Sequence, residues 1–523
     1  MHLSPHSLRQ IDDAYLRSLD PEALRGLSVR LLADLKEAWD RLNQGPENSS
    51  RPPSSRAPWD RKGGGGPESD ADAADGGPES EPADAKPEPA EPPSAEAKPA
   101  AAKPAVTPPA RQAGKQPGAP GIGRTQVFQA NAEQAHYPDA CAGCGRPLDP
   151  AGAVAYTGFQ AVDLHWDDPA RPGLTLWVVD HRYYETPCAC GHRTRALAGH
   201  GVVDPLLAGI ELSDWRLVGP GLAALIVALA YRFRLSRARI REFLAEWLGL
   251  KLSIGTIHQT LHEAAAAAAP AEEELVQAVL ASDLLHADET SWPEANQTLW
   301  LWVFVAATAT LYYVAGRGKE LVENVLDGFT GWLMSDGWGS YRHYPRRLRC
   351  WAHLIRKARG LAQSCDRNAR AFGQLVLDTF AALMAAVYAA REGPPPVELP
   401  TQHAPLLAAL RAACEGRQSS PQQKTHALAV ELLNDWDAIF QVLSHPALPL
   451  TNNDAERALR HWVILRKLSL GTRTPVGSRV VALLASVIDT CRQRGHSPWR
   501  YLEQAITDRR AGRPLAPLPQ PGG

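Results

Sequence analysis

Apolar residues are packed most densely between Leu284 and Arg359. A short apolar run ends on Asp288. A second spans Leu299–Ala307, and a third, Leu311–Val314, follows a brief break. A helical segment from Lys319 to Leu326 leads into a fourth run, Gly331–Ser335, which stops on Asp336. Three short β runs, a helix and a fourth strand predict an antiparallel hairpin pair extended by a parallel strand. Both aspartates are expected at the ends of buried strands. A carboxylate buried there is costly unless a cation pairs with it, so a metal site is expected.

Helical periodicity dominates the rest. Residues 218–268 show two breaks: Pro220–Phe233 is one helix, Ser236 caps Arg237–Leu248, Gly249 ends it, and Ser253 caps a third from Ile254. Helix, short glycine-containing turn and helix is the spacing of a helix-turn-helix, although any helical hairpin shares it. In that reading Thr256, His258, Gln259 and His262 face outward toward DNA. Residues 361–445 are helices broken by GPPPVELP and EGRQSSPQ, the pattern of an all-helical insert. In LTNNDAERALRHWVILRKLSLG, Thr451 or Asn452 caps a helix with Glu456 in its first turns. Arg457, Arg460, Arg466, Lys467, Arg473 and Arg479 make this segment strongly positive, and a lone glutamate among them could be a salt-bridge partner. Near the N-terminus, residues 8–43 carry Leu24, Leu31 and Ala38, with Ser28, Leu35 and Leu42, at 3–4 spacing. Such a helix either docks on its own protein or pairs two chains.

Composition sharpens this picture. At 523 residues the chain is too long for one core. Residues 61–124 are Pro, Ala, Gly, Glu and Lys, which cannot bury enough surface to fold. Hydrophobic residues make up 44% and charged residues 21%, and runs of about 18 apolar residues are missing, so no membrane span is expected. The start, MHLSPHSLRQIDD, lacks a basic region followed by an apolar stretch, which argues against secretion. Four of the eight cysteines fall within Cys141–Cys190. Cys141-x2-Cys144 is the spacing of a zinc knuckle. Cys188-x-Cys190 is less usual, and four reduced thiols in a small β domain is the alternative. The net charge of −2 hides acids in the linker and bases after Asp336 and Glu456. Arg346, Arg347, Arg349, Arg356, Lys357 and Arg359, interleaved with Tyr344 and Trp351, suit a phosphate backbone or a solvated helix face. Cys350 and His353, at x2 spacing with no second pair nearby, are read as structural.

Two strand-end aspartates and a helical glutamate, in that order, are what a two-metal nuclease needs. Asp288 would bridge both ions, while Asp336 and Glu456 would complete one each. The separation of Glu456 from Asp336 is long for a compact sheet unless the helical block folds away.

HADET, SDGWGSY after GFTGWL, CWAHLIRKAR and NNDAERALR with its downstream RK together resemble the transposase of the insertion-sequence 66 family. The resemblance extends to the order of N-terminal helix, Cys-rich segment and helical unit. It implies a bacterial DDE transposase with an α/β RNase H-like catalytic core on a mixed sheet, carrying a helical insertion. A small zinc-ribbon-like domain, a helical DNA-binding unit and an N-terminal helix precede that core. The expected division is an N-terminal helix at 1–45, a disordered linker at 46–130, a zinc-finger-like domain at 131–205 and a helix-turn-helix-like unit at 206–275. The core would occupy 276–360 and 451–510 around an insertion at 361–450, with a disordered tail at 511–523. By residue, the resemblance implies Asp288, Asp336 and Glu456 as the triad holding two magnesium or manganese ions. Zinc is the candidate ion for Cys141, Cys144, Cys188 and Cys190. Cys350/His353 matches a C-x2-H signature seen just after the second acid in several transposase families. DNA contacts are expected at Thr256, His258, Gln259, Arg356, Lys357, Arg457, Arg460, Arg466 and Lys467. The implied partners are the element's terminal repeats, target DNA, further copies of the chain on DNA and small accessory proteins of the element. The implied location is cytoplasmic, on the nucleoid, with no membrane. Departures from the family pattern are the CxC pair, the long linker, and Arg466-Lys467-Leu468 where many relatives read RKN. A domesticated protein that binds DNA without catalysis and a nuclease that cuts without joining are the competing readings.

Overall fold

A computed structural model of the chain describes residues 11, 13–42, 126–166, 170, 173–197, 207, 210–213, 215–393 and 398–522. Most of the expected linker lies outside these. Its last residues are held in place, since Phe128 and Gln160 exchange hydrogen bonds of 3.1 and 2.8 Å. A short helix α1 (Asp13–Ser18) precedes α2 (Pro21–Leu42). Leu27 of α2 is buried, while Leu24, Leu32, Leu35 and Trp39 are exposed. Asp40 ties its end to the chain by accepting from the Ser364 hydroxyl at 2.8 Å.

Two mixed sheets follow. In the first, β1 (Ala132–His136) runs parallel to β3 (Thr175–Pro187), and β2 (Val154–His165) and β4 (Arg193–Arg195) pair antiparallel with β3. A helical unit connects it onward. Helix α3 (Pro220–Val227) widens into a π turn at Ala228–Arg232. Then come α4 (Arg237–Trp247), α5 (Ile254–Ala268) and α6 (Ala271–Leu280). The Ser236 and Ser253 hydroxyls accept from the amides of Arg239 and Thr256, the N-caps read from sequence.

The second sheet has the order β7-β6-β5-β8-β9. Strand β5 (Leu284–Glu294) pairs antiparallel with β6 (Gln297–Val305), which pairs antiparallel with β7 (Thr310–Ala315). Helix α7 (Glu320–Val325) crosses to β8 (Trp332–Ser335), parallel to β5, and β9 (Arg347–Arg349) adds a further parallel strand. The hairpin pair and its parallel extension match the sequence pattern. Two details differ. Strand β5 does not stop at Asp288 but runs six residues further, still paired with β6. Strand β9, Arg-Leu-Arg, has no apolar run to betray it.

Helix α8 (Trp351–Ala362) opens the helical block, which continues through α9 (Arg367–Glu392), α10 (Leu399–Gln402), α11 (Ala404–Glu415), α12 (Gln423–Asn434) and α13 (Trp436–Ser444). This block has its own core, in which Trp351 meets Phe380 and Phe440 edge-on. Among the described residues α9 is the one helix long and apolar enough to cross a membrane. It buries Phe372, Val376, Phe380, Leu383 and Val387 within the block, as a core helix does.

The chain returns to the second sheet with α14 (Asn453–Ser469), α15 (Pro475–Gln493) and α16 (Pro498–Arg510). Helix α15 covers β7, and its Ser486 and Thr490 hydroxyls accept the amides of Tyr312 and Thr310 at 2.9 and 3.0 Å. Those amides lie on the edge strand, where an unpaired donor would be a liability. One continuous core then joins the first sheet, the helical unit, the second sheet and these last helices. Residues 511–522, expected as a disordered tail, lie against this core instead. Leu518 is 1% exposed, its amide donates to Glu274 at 2.8 Å, and Arg494 donates to the Pro519 carbonyl at 3.1 Å. Proline stiffness lowers the entropy lost on ordering such a segment, and one buried leucine anchors it.

Candidate active site

The pairing of β5 with β8 sets the site. Leu284, Leu285 and His286 lie opposite Trp332, Leu333 and Met334. Continued by two residues, that register brings Asp288 level with Asp336, which directly follows β8. In-register neighbours on adjacent strands share a face and are about 4.8 Å apart. Asp288 therefore lies mid-strand, at the point where β5 loses its parallel neighbour, and Asp336 at a true strand end. The Asp336 carboxylate accepts the Trp338 amide at 2.8 Å, closing a tight turn.

Like charges meet here. Burial pushes the Asp288 carboxyl well above the ordinary range, and the negative charges of Asp336, Glu289 and Glu456 add to the rise. Glu289 carries its own cation. Arg317 donates to it at 2.8 Å and is sandwiched between Trp300 and Trp338, 3.9 and 3.6 Å from the ring centres. Tyr341 donates to its other oxygen at 2.8 Å. A charge paired this completely is a structural brace for the Asp336 turn.

Glu456 arrives on the first turn of α14. The mouth of that helix is fixed by Asn452, which is 1% exposed. The Asn452 amide side chain donates to the Ala287 carbonyl at 2.8 Å, its oxygen faces His286 Nδ1 at 3.1 Å, and its backbone amide donates to Cys350 Sγ at 3.3 Å. Expected as a simple cap, Asn452 instead fastens α14 to β5 and to the end of β9. Glu456 Oε1 lies 3.0 Å from His353 Nε2. That hydrogen bond, with the charges of His353, Arg356 and Arg460, holds its carboxyl below the usual range against the pull of burial.

The cationic residues divide. Arg347 and Arg349, expected to meet phosphate, are buried on β9 and bind the helical block: Arg347 reaches Asp435 at 2.6 Å, and Arg349 reaches Glu431 at 2.6 Å and Asp435 at 2.9 Å. Interior charges must find partners, and these find acids of α12 and the turn after it. Lys357 bonds Glu431 at 2.7 Å. Arg466 donates to the Thr290 and Ser291 hydroxyls at 2.8 and 3.0 Å, bracing the outer half of β5. Arg457 pairs with Asp454. Arg460 and Lys467 are exposed, and Arg356 is half-buried. On α5, His258 and Gln259 are exposed and Thr256 is half-buried. His262, expected to face outward, is half-buried like Thr256, with its ring centre 4.0 Å from that of His258, and burial with that neighbour pulls its pKa down to about 4.

The four N-terminal cysteines converge. Cys141 and Cys144 follow β1, and Cys188 and Cys190 sit in the β3–β4 turn. Cys141 Sγ is 3.7 Å from Cys190 Sγ, and Cys144 Sγ is 3.6 Å from Cys188 Sγ. All four sulfurs lie within 4.8 Å of one another. Zn–S bonds of ~2.3 Å in a tetrahedron separate sulfurs by about 3.8 Å, so the donor set fits zinc. Gly145 and Gly191, with φ of 71° and 86°, make the two turns in a region other residues rarely adopt.

A mixed α/β core bearing an aligned aspartate pair, a helix-borne glutamate and a cysteine cluster is the build expected of a DNA transposase. The family model described as Transposase IS66 family matches residues 216–480, about half of the sequence, and the chain belongs to that family. It is similar to three proteins of Sinorhizobium fredii (strain NBRC 101917 / NGR234), each described as uncharacterized. Identity to y4qI is 24% over 53% of this chain and 55% of the relative. For y4hP it is 26% over 55% and 59%, and for y4jO 29% over 36% and 56%. The chain thus spans little more than half the length of these relatives.

Proposed function

We propose that the chain binds the ends of an insertion sequence, cleaves DNA there and joins the freed strand to a target, using an RNase H-like core with Asp288, Asp336 and Glu456 as its acids. Support comes chiefly from the β5–β8 register, which aligns Asp288 with Asp336 where the parallel pairing of these two interior strands ends. The three carboxylates offer only oxygen donors, and the crowding of negative charge at Asp288 is what a divalent cation relieves, so magnesium or manganese fits. When bound, two such ions supply Lewis-acid activation of the attacking oxygen and stabilisation of the leaving 3′ oxygen. Asp288 and Asp336 hold the strand side of the site, and Glu456 the helix side. His353 orients Glu456, and Asn452 sets the height of α14 against β5. Arg356, Arg457, Arg460, Arg466 and Lys467 line the approach for phosphate. Thr256, His258 and Gln259 supply contacts at the surface of α5, and zinc at the cysteine cluster would brace the first sheet. In this proposal the reactions proceed on several copies of the chain assembled on DNA, with the element's small accessory proteins as further partners.

The deciding experiment uses purified protein, magnesium and labelled element ends. Wild type is expected to cut and join, whereas Asp288→Asn binds the ends with unchanged affinity and does neither. Full cutting and joining by Asp288→Asn would remove that residue from the triad. Binding without cutting by wild type would leave a DNA-binding protein, and cutting without joining a nuclease.

A further inference from the structure

Beside the acids lies a second set of donors with different chemistry. One atom each of Cys350, His353 and Glu456 lies within 4.8 Å of the others. The C-x2-H spacing explains the first two: Cys350 is the N-cap of α8 and His353 its third residue, so both side chains fold over the helix mouth. Glu456 enters from the first turns of α14. The sulfur is buried, and the backbone amides of Asn452, His353 and Ala352 point at it. Those amides ease a negative charge on the sulfur, but burial outweighs them and pushes the Cys350 thiol up, so a thiolate there needs a cation beside it. The register of β8 with β9, in which Ser335 faces Arg349, puts Cys350 level with Asp336 when continued by one residue. A cleft of about 430 Å³, lined by Asp336, Trp338, His353 and Lys357, opens on the imidazole and gives an ion a way in.

One sulfur, one imidazole nitrogen and one carboxylate oxygen form a borderline-soft set that suits zinc and leaves a fourth tetrahedral position open. Magnesium, which demands oxygen ligands, has no use for it. We propose that Cys350, His353 and Glu456 bind a zinc ion, and that zinc there withdraws Glu456 from Asp288 and Asp336 and holds the protein inactive. The inhibitory half rests on the role given to Glu456 above. On binding, Cys350 gives its thiol proton to solvent and forms one Zn–S bond. His353 releases to solvent the Nε2 proton it donates to Glu456 and binds through that nitrogen as a neutral imidazole with its proton on Nδ1. Glu456 binds through a carboxylate oxygen. Two negative ligands and a divalent ion sum to zero, so the buried pocket gains no net charge.

Cobalt(II) is a visible probe for such a site. Full-length, metal-free protein is titrated with cobalt while its thiolate-to-metal charge-transfer absorption is followed. Cys350→Ser is expected to bind one equivalent fewer than wild type, and His353→Asn to weaken that equivalent at least tenfold, with unchanged circular dichroism in both. Equal stoichiometry and equal spectra for wild type and Cys350→Ser would overturn the site. A second arm measures magnesium-supported nicking of element ends with and without added zinc, as a ratio for each protein. Zinc is expected to suppress wild type at least tenfold and to leave the ratio for Cys350→Ser near one. Cobalt binding with nicking indifferent to zinc overturns the inhibitory half. Failure of wild type to nick without zinc counts against the triad, while the titration still decides the site.

Discussion

Asn452 bears more of the active-site geometry than its place in a capping motif suggests. It has three partners, the Ala287 carbonyl, the His286 ring and Cys350 Sγ, all remote in sequence. Asn452→Ala keeps the backbone bond to Cys350 but strands the Ala287 carbonyl and the His286 ring at a cost on the order of 1–3 kcal/mol each. Urea unfolding should show that loss, and cleavage should fall more than end binding because Glu456 loses its fixed position. His262 gives a prediction in pH. Its folded pKa of about 4 lies below the ordinary histidine value of about 6.5, so the unfolded chain binds the extra proton first. Stability should therefore be full above pH 6.5 and be lost as pH falls toward 4. His262→Gln should flatten the thermal midpoint over that window, and an unchanged slope would place the acid sensitivity elsewhere. At this scale the approach of Asp336 and Glu456 to Asp288 could be anticipated, because each of the three sits in a distinctive local motif. Asn452 and Glu289 were not, since their partners come from other segments of chain.

Among elements, the hairpin, its parallel extension and the caps at Ser236 and Ser253 could be read from periodicity and capping residues. Strand β9 could not, because three residues alternating Arg-Leu-Arg look like a basic cluster until Asp435 and Glu431 are brought opposite. That contact ties the second sheet to the helical block through side chains with no solvent exposure at Arg349 and Asp435. Removing one partner of such a pair costs about 3–5 kcal/mol, whereas replacing both with apolar residues can be neutral. Arg349→Ala should be strongly destabilised in denaturant titration, and because Asp435 also holds the buried Arg347, a double Arg349→Met, Asp435→Leu variant should not recover the loss. The cysteine turns make a matching prediction for the first sheet. Cys188→Ser should abolish one equivalent of tightly bound zinc and lower the thermal midpoint, while wild type loses the same increment on chelation.

In the whole molecule, the expected boundaries between the Cys-rich, helical and catalytic segments are crossed by one continuous core, whereas the helical block keeps its own. Hydrophobic pattern identifies which residues are buried but not which segments they are buried against, and that is why the last twelve described residues were misread as loose. The covering of β7 by α15 has a consequence for how the protein is made. The amides of Thr310 and Tyr312 wait for hydroxyls 180 and 174 residues further along. During synthesis the sheet and the whole helical block must emerge before the helices that close the sheet exist. Contacts of such long range are slow to form, and chains awaiting them expose sticky surface. Nascent chains ending before Pro475 should aggregate or recruit chaperones, which ribosome-arrested intermediates can show directly. The acids would then come together only after the helical block and Glu456 have emerged.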